Sequence, residues 1–301
     1  MTVATGQRRR IGGYGLCRDE AGRVLLVRAS ARSDRVPAGT WMLPGGRVEQ
    51  GEDPADAVVR ELAEETGLAG EVVRVRDAAA ELVVRPPFLD HTDGVLYDLR
   101  VTGGALRPEV GGTSDLVGWV APAEAATLPL SRFVTHALGL PAPVTPPLPA
   151  EAAPPGPARR VQRFAAYALV TDPAGRVLLT RNADGYPGAG RWHLPGGGTD
   201  FGEQPRDGLR REITEESGQQ VRITGVLSGN HVHKPRTVGR RGQPVDWHGV
   251  MVVFRAIVSE PTPLRVLEAD GSTAEAAWFT RPAGAALPLT GIAAATLAAD
   301  W

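Results

Sequence analysis

Two short runs of glutamate hold the residues most able to do chemistry. Glu61, Glu64 and Glu65 stand at i, i+3 and i+4, directly after Arg60, and Glu212, Glu215 and Glu216 repeat that spacing after Arg211. On a helix each trio shares one face, with Cβ atoms roughly 5–6 Å apart. Three carboxylates so placed repel one another, and a hard divalent cation relieves the repulsion. Ligands that are all oxygen point to Mg²⁺ or Mn²⁺, and Mg²⁺ favours sites shared between protein carboxylates and substrate phosphates. Upstream lie Pro44-Gly45-Gly46 and Pro195-Gly196-Gly197. These are tight loops whose backbone can approach a ligand and whose carbonyls can complete metal coordination.

The elements that must carry these residues are legible around them. Pro54 and Pro205 sit at a first helical position, with Asp56 and Asp207 in the first turn. Gly67 and Gly218 fall where a helix ends in a left-handed residue. That spacing predicts a helix of about three to four turns in each half. Val58 and Leu62, and likewise Leu209 and Ile213, point to the core. Before each helix, an apolar run, an Asp/Gly turn and a second β-rich run read as strand, turn, strand.

The chain is built from one unit used twice. Tyr14 to Arg28 returns as Tyr167 to Arg181, Trp41-Met42-Leu43-Pro44 as Trp192-His193-Leu194-Pro195, and Trp119 followed by Leu128-Pro129-Leu130 as Trp278 followed by Leu287-Pro288-Leu289. The expected domains are residues 1–140 and 161–301. Between them, 141–160 is so rich in proline that it reads as a semi-rigid extended spacer.

Composition narrows the function classes. In 301 residues, 33 Lys and Arg nearly balance 34 Asp and Glu. A protein gripping a nucleic acid polymer would carry a basic surplus, so no polymer is expected as partner. The single cysteine, Cys17, lies in an apolar run and reads as a buried strand residue. No stretch approaches the roughly 20 apolar residues of a membrane span, and no signal peptide follows Arg8-Arg9-Arg10, so a cytoplasmic, membrane-free protein is expected.

Taken whole, Gly46 to Glu52, seven residues, then Arg60-Glu61-Leu62-Ala63-Glu64-Glu65-Thr66-Gly67-Leu68 is matched in register by Gly197 to Glu203, seven residues, then Arg211 to Gln219. Seven spaced positions at a chance of ~0.1 each arise on the order of 10⁻⁷ per starting point. This pattern resembles the Nudix box, the signature of the Nudix hydrolases that include MutT-type enzymes, and it occurs once per half. Gln219 departs from the usual aliphatic residue, which puts packing after the second helix in question.

The resemblance implies an α/β fold: two Nudix folds, each an α/β/α sandwich around a mixed β-sheet. It implies Mg²⁺- or Mn²⁺-dependent hydrolysis of the diphosphate linkage in a nucleoside diphosphate derivative or nucleoside triphosphate. Glu64, Glu65, Glu215 and Glu216 would hold metal, as would the carbonyls of Gly45 and Gly196. Glu61 and Glu212 would be metal ligands or the base that activates water, and Arg60 and Arg211 would hold the glutamates by ion pairing. A further carboxylate is expected before the last tryptophan: Glu109 or Asp115 in the first half, and Glu268, Asp270 or Glu275 in the second. The alternative is one catalytic domain with a ligand-sensing or dimerising copy. No helix-turn-helix segment is visible for a transcriptional sensor, and pairing of the two halves within the chain is the natural expectation.

Other residues carry weaker signals. Trp41 and Trp192 suit core packing better than stacking on a base. His231 and His233 alternate on a strand that is exposed by default, with contact to a substrate of the second site as the other reading. A zinc site is disfavoured because no cysteine or further ligand clusters there. Arg8-Arg9-Arg10 and Arg159-Arg160 read as solvated charge. Arg236, Arg240 and Arg241 are expected in a loop peculiar to the second half, where its substrate would be recognised.

Overall fold

The computed structural model describes residues 6–33, 36–85, 87–142, 160–238, 243–268 and 271–299. Most of the expected proline spacer lies outside the described residues, as do Arg159, Arg240, Arg241 and Asp270. The chain forms two compact units: Met1–Phe164 with Gly229–Val250, and Ala165–Ser228 with Met251–Trp301. No helix among the described residues is long and apolar enough to cross a membrane.

In the first unit the strands are β1 (Gly6–Cys17), β2 (Val24–Ala29), β3 (Trp41–Met42), β4 (Gly45–Arg47), β5 (Leu68–Arg85), β6 (Phe88–Gly104) and β7 (Ser114–Val120). The helices are α1 (Pro54–Thr66), α2 (Pro122–Ala125) and α3 (Arg132–Leu138). The β1–β2 turn closes as its Asp/Gly chemistry demands: Gly22 takes φ 74°, and the Asp19 carboxylate accepts the Arg23 N–H at 2.8 Å. One sheet runs β4-β1-β6-β5 and another β3-β2-β7. The β1–β6 pair is parallel and the other pairings are antiparallel, so the sheet is mixed.

Alternation along β1 makes the sandwich. A Cβ on Gly13 would lie 2.7 Å from the Pro54 carbonyl and 3.4 Å from Val58, so α1 covers that face closely. The next residue, Tyr14, points the other way and stacks on Phe133 of α3 at 4.2 Å. Val58 and Leu62 are fully buried beneath α1. The helix starts at Pro54 behind Asp53, whose carboxylate accepts the Ala55 N–H at 2.9 Å, and ends at Gly67 with φ 71°.

The second repeat supplies β8 (Arg160–Thr171), β9 (Val177–Asn182), β10 (Trp192–His193), β11 (Gly196–Gly198), β12 (Arg222–Val238), β13 (Pro244–Ile257) and β14 (Thr273–Phe279). Its helices are α4 (Pro205–Ser217), α5 (Arg281–Ala285) and α6 (Gly291–Ala298). These strands form a sheet ordered β10-β9-β8-β13-β12, with β11 on β8 and β14 on β9. In the second unit, Leu169, Leu179, Leu194 and Val253 pack with Ala293 and Leu297 of α6 as one core. Leu209 and Ile213 of α4 are fully buried. Trp192 belongs to that core, edge-on to Phe279 at 4.9 Å, and Trp41 packs against the first core. Cys17 is fully buried, and burial pushes its thiol up to about 12, so it is a packing residue.

Several expectations change here. Arg8 and Arg9 are exposed as expected, but the run is not free, because β1 and β6 bring partners alongside. Arg8 forks onto Asp90 at 2.6 and 2.7 Å, Arg9 binds the buried Asp93 at 2.8 Å, and Arg10 reaches Thr92 at 2.9 Å. Arg160, by contrast, is largely exposed. Arg236 lies on β12 rather than in a loop. Gln219 is almost fully buried, yet its amide is satisfied: it donates to the Thr262 carbonyl at 3.1 Å and accepts the Thr262 N–H at 3.0 Å. A polar clasp thus replaces the usual aliphatic contact.

That clasp has a measurable consequence. Gln219→Leu keeps the volume but removes the hydrogen bonds to Thr262, an exposed residue that water can then solvate, so unfolding in urea should show a loss of about 0.5–1.5 kcal/mol. A leucine variant as stable as the parent would mean that the clasp contributes nothing.

Candidate functional site

In each repeat the glycine-rich turn and the following helix converge on one arginine. The β4 turn enters with Gly45 at φ 147°, a conformation costly for other residues, and Gly45 pairs with Tyr14 across the β1–β4 ladder. A Cβ on Gly46 would collide with the Glu61 carboxylate, and one on Gly197 would lie 2.7 Å from that of Glu212. Glycine is therefore required because α1 and α4 deliver a carboxylate into the space a side chain would fill.

Arg60 spreads its guanidinium over three glutamates. Nε and Nη2 fork onto Glu52 at 2.9 and 3.1 Å, and Nη1 donates to Glu61 at 3.0 Å and Glu64 at 3.2 Å. Nη2 also reaches the Arg47 carbonyl at 3.2 Å. Arg211 repeats the pattern: Glu203 at 2.9 and 3.1 Å, Glu212 and Glu215 at 3.1 Å each, and the Gly198 carbonyl at 3.3 Å. The hydrogen bonds that the arginines donate to Glu52 and Glu203 raise their pKa values further. Burial opposes the charge on Glu52, but hydrogen bonds from Arg60 and the Glu49 N–H outweigh it and hold this carboxyl below its ordinary value.

The third glutamate of each trio turns inward instead. Glu65 accepts the Gly45 N–H at 3.0 Å and Glu216 the Gly196 N–H at 2.8 Å, both nearly fully buried. Burial pushes Glu216 up to about 8, aided by the charges of Glu212 and Glu268 and opposed by hydrogen bonds from Thr273 and Gly196. Glu212 is also raised, again by burial first. The Thr273 hydroxyl donates to Glu216 at 2.7 Å, whereas Ser114, at the start of the corresponding strand, has a buried Oγ with no partner among the described residues.

The donor set fits a hard divalent ion. It is all oxygen, its carboxylates crowd one helix face, and the burial that raises Glu212 and Glu216 is the penalty a bound cation would remove. Among the described residues, however, no three His, Cys, Asp or Glu groups already converge on one point. The arginine holds two of the glutamates and the loop N–H holds the third.

Of the additional carboxylates expected from the sequence, the structure separates one. Glu268 is close enough for its charge to raise both Glu212 and Glu216, and its N–H lies 3.3 Å from the Glu215 carbonyl. Glu275 is paired with Arg181 at 2.9 Å. In the first repeat Asp115 is paired with Arg28 at 2.8 Å, and Glu109 accepts the Thr113 N–H at 2.9 Å. His231 and His233 alternate on β12, where residues 232–236 are exposed as expected. Both lie in the first unit, against His248 and close to residues 50–53, a placement the local pattern around them could not reveal.

A NUDIX domain model matches residues 6–137 and 161–298. Over 111 residues the chain is 36% identical to a Bacillus subtilis (strain 168) protein named "Putative 8-oxo-dGTP diphosphatase", covering 37% of this chain and 66% of that protein. Over 88 residues it is 39% identical to an RNA pyrophosphohydrolase of Cereibacter sphaeroides (strain ATCC 17029 / ATH 2.4.9), covering 27% of this chain and 46% of that protein. Among solved structures, a MutT NUDIX hydrolase from Burkholderia pseudomallei matches at 29% identity and TM-score 0.35, covering 46% of this chain and 96% of that one. The chain thus spans between 46% and 66% of the length of these two curated relatives. Because the family model covers most of both repeats, and each holds its box glutamates on a helix behind a Pro-Gly-Gly turn, the chain belongs to the Nudix hydrolase family and carries its domain twice.

Proposed function

We propose that both repeats are Mg²⁺-dependent (or Mn²⁺-dependent) hydrolase sites that cleave the diphosphate linkage of a nucleoside diphosphate derivative or a nucleoside triphosphate. One observation carries the reading: the same arginine-centred glutamate array, with the same atom pairings, stands in both repeats. The names of the relatives, an 8-oxo-dGTP diphosphatase and an RNA pyrophosphohydrolase, support a nucleotide diphosphate as the bond attacked. Domains at 1–140 and 161–301, each with its own glutamate trio, are part of the proposal.

Glu61, Glu64, Glu65 and the Gly45 carbonyl would hold the metal in the first repeat, and Glu212, Glu215, Glu216 and the Gly196 carbonyl in the second. When bound, the metal neutralises the diphosphate and lowers the pKa of water. The chain's own residues supply the rest. Arg60 and Arg211 hold Glu61 and Glu212 in one orientation, so little reorganisation is needed during reaction. Glu212, raised by burial, is suited to taking a proton from the attacking water, as is Glu268 beside it. Water oxygen bonds to one phosphorus while the bridging P–O bond breaks and its electron pair leaves with the second phosphate.

Turnover should be tested with Mg²⁺ over ADP-ribose, dinucleoside polyphosphates, sugar nucleotides and oxidised dNTPs, on the parent, Glu64→Gln/Glu65→Gln and Glu215→Gln/Glu216→Gln. Two working sites predict that each double variant abolishes part of the activity and that the two together abolish all of it. Complete loss from one double variant alone would favour one catalytic domain with a sensing copy, and no metal-dependent turnover of any substrate would sink the enzyme reading.

The raised Glu216 makes a second expectation. A carboxyl whose folded pKa exceeds its unfolded value costs nothing at low pH, and its penalty grows as pH rises through the interval between them. For Glu216 that interval runs from 4.5 to about 8. In chelator, Glu216→Gln should therefore match the parent near pH 4.5 and exceed it in stability by on the order of 4 kcal/mol at pH 8. Melting curves across that range check it, and a gap that stays constant with pH would contradict the shift.

A further inference from the structure

A group of titratable side chains outside the glutamate sites lies in the first unit, on residues 229–250. His248 is fully buried. Its Nδ1 accepts the Gly51 N–H at 3.2 Å and lies 3.3 Å from the Gln162 amide, which itself donates to the Val48 carbonyl at 2.9 Å. An Nδ1 that accepts places the ring proton on Nε2, and that atom is buried with no partner among the described residues. The rings of His231 and His233 meet His248 edge-on at 5.6 and 5.8 Å.

The neighbours of His248 reach the same segment. Gln50 donates to the Asp246 carboxylate and carbonyl at 3.1 Å each, and Asp246 also binds His233 at 2.7 Å. His231 lies 3.6 Å from Asp53, the residue that caps α1. Val48, Gln50, Gly51 and Asp53 are thus all engaged, and between the last two stands Glu52, the carboxylate on which Arg60 forks. His248-Gly249-Val250 occupies the place that Asp93-Gly94-Val95 holds in the first repeat, and Gln162 that of Arg9. The first repeat has an Arg9–Asp93 ion pair there, whereas the second has a neutral pair whose imidazole accepts from Gly51.

We propose that His248 is a positioning residue for the first glutamate site. With Gln162 and Asp246 it fixes residues 48–53, so that Glu52 meets Arg60 and Arg60 in turn aims Glu61 and Glu64. This rests on the reading of that site as a metal-dependent hydrolase centre. One buried imidazole held by a loop amide, with Gln162 on Val48 and Gln50 on Asp246 beside it, places the polar contacts of this group on the turn before α1.

The test uses the full chain with Glu215→Gln/Glu216→Gln as parent, so that Mn²⁺ binding followed by electron paramagnetic resonance, and turnover, report the first site. His248→Leu removes the acceptor and should weaken Mn²⁺ about tenfold, the scale on which residues behind metal ligands act, with kcat falling more than KM changes. His248→Asn places an amide oxygen near the lost Nδ1 and should stay within about twofold of the parent. Gln50→Ala, at a partly exposed position, decides the matter should the leucine variant fail to melt cooperatively, and about threefold weaker Mn²⁺ is expected. Unchanged Mn²⁺ affinity in His248→Leu or, if that variant is unfolded, in Gln50→Ala overturns the positioning role, as does an asparagine variant as weak as leucine. A parent that neither binds Mn²⁺ nor turns over substrate overturns the hydrolase reading and this inference with it.

Discussion

The interaction on which each repeat depends is a single guanidinium shared among carboxylates. Three glutamates on one helix face and a fourth on the preceding turn would repel one another. Like charges about 4 Å apart interact by about 4 kcal/mol at an effective dielectric constant near 20. Arg60 and Arg211 answer this with five donors in a rigid fork, whose planar geometry lets one residue bind Glu52 or Glu203 at two points while touching two helix glutamates. A lysine could offset the charge but not hold four oxygens at set directions. The arginine is also tied to the backbone of the turn, so helix and turn are one electrostatic unit.

The glycines follow from that arrangement. Because the helix sends Glu61 and Glu212 into the space above Gly46 and Gly197, no side chain fits there. The loop N–H that Gly45 or Gly196 offers then becomes the partner of the buried third glutamate. Burial raises Glu216 while its two hydrogen bonds limit the rise, so the carboxyl sits at the edge between neutral and charged near neutral pH.

The repeats share this centre but not its surroundings. Glu216 has the Thr273 hydroxyl, whereas the hydroxyl of Ser114 stands unpartnered among the described residues. The first site's turn is held by Gln162, Asp246 and His248, residues far along the chain. Gln219 shows the same economy of means: a polar residue takes an apolar position because Thr262 lies opposite with matching donor and acceptor.

What the sequence determined by itself was local and periodic. Proline, glycine and glutamate spacing set the two helices, with Pro54, Gly67, Pro205 and Gly218 at their ends, because caps and left-handed residues depend on the nearest few neighbours. The same spacing placed Glu61, Glu64, Glu65 and their copies on one face behind Arg60 and Arg211. The tertiary structure alone decided what depends on strands meeting across the chain. The pairing of β1 with β6 turned Arg8, Arg9 and Arg10 from a charged run into bound residues, and the company of Thr262 made Gln219 fit. The grouping of 229–250 with the first unit carried His231, His233 and His248 to residues 48–53, and the fold singled out Glu268 from its neighbours by proximity to buried carboxylates. Burial and hydrogen bonding are properties of a place rather than of a residue type, and that place exists only once distant segments have packed together.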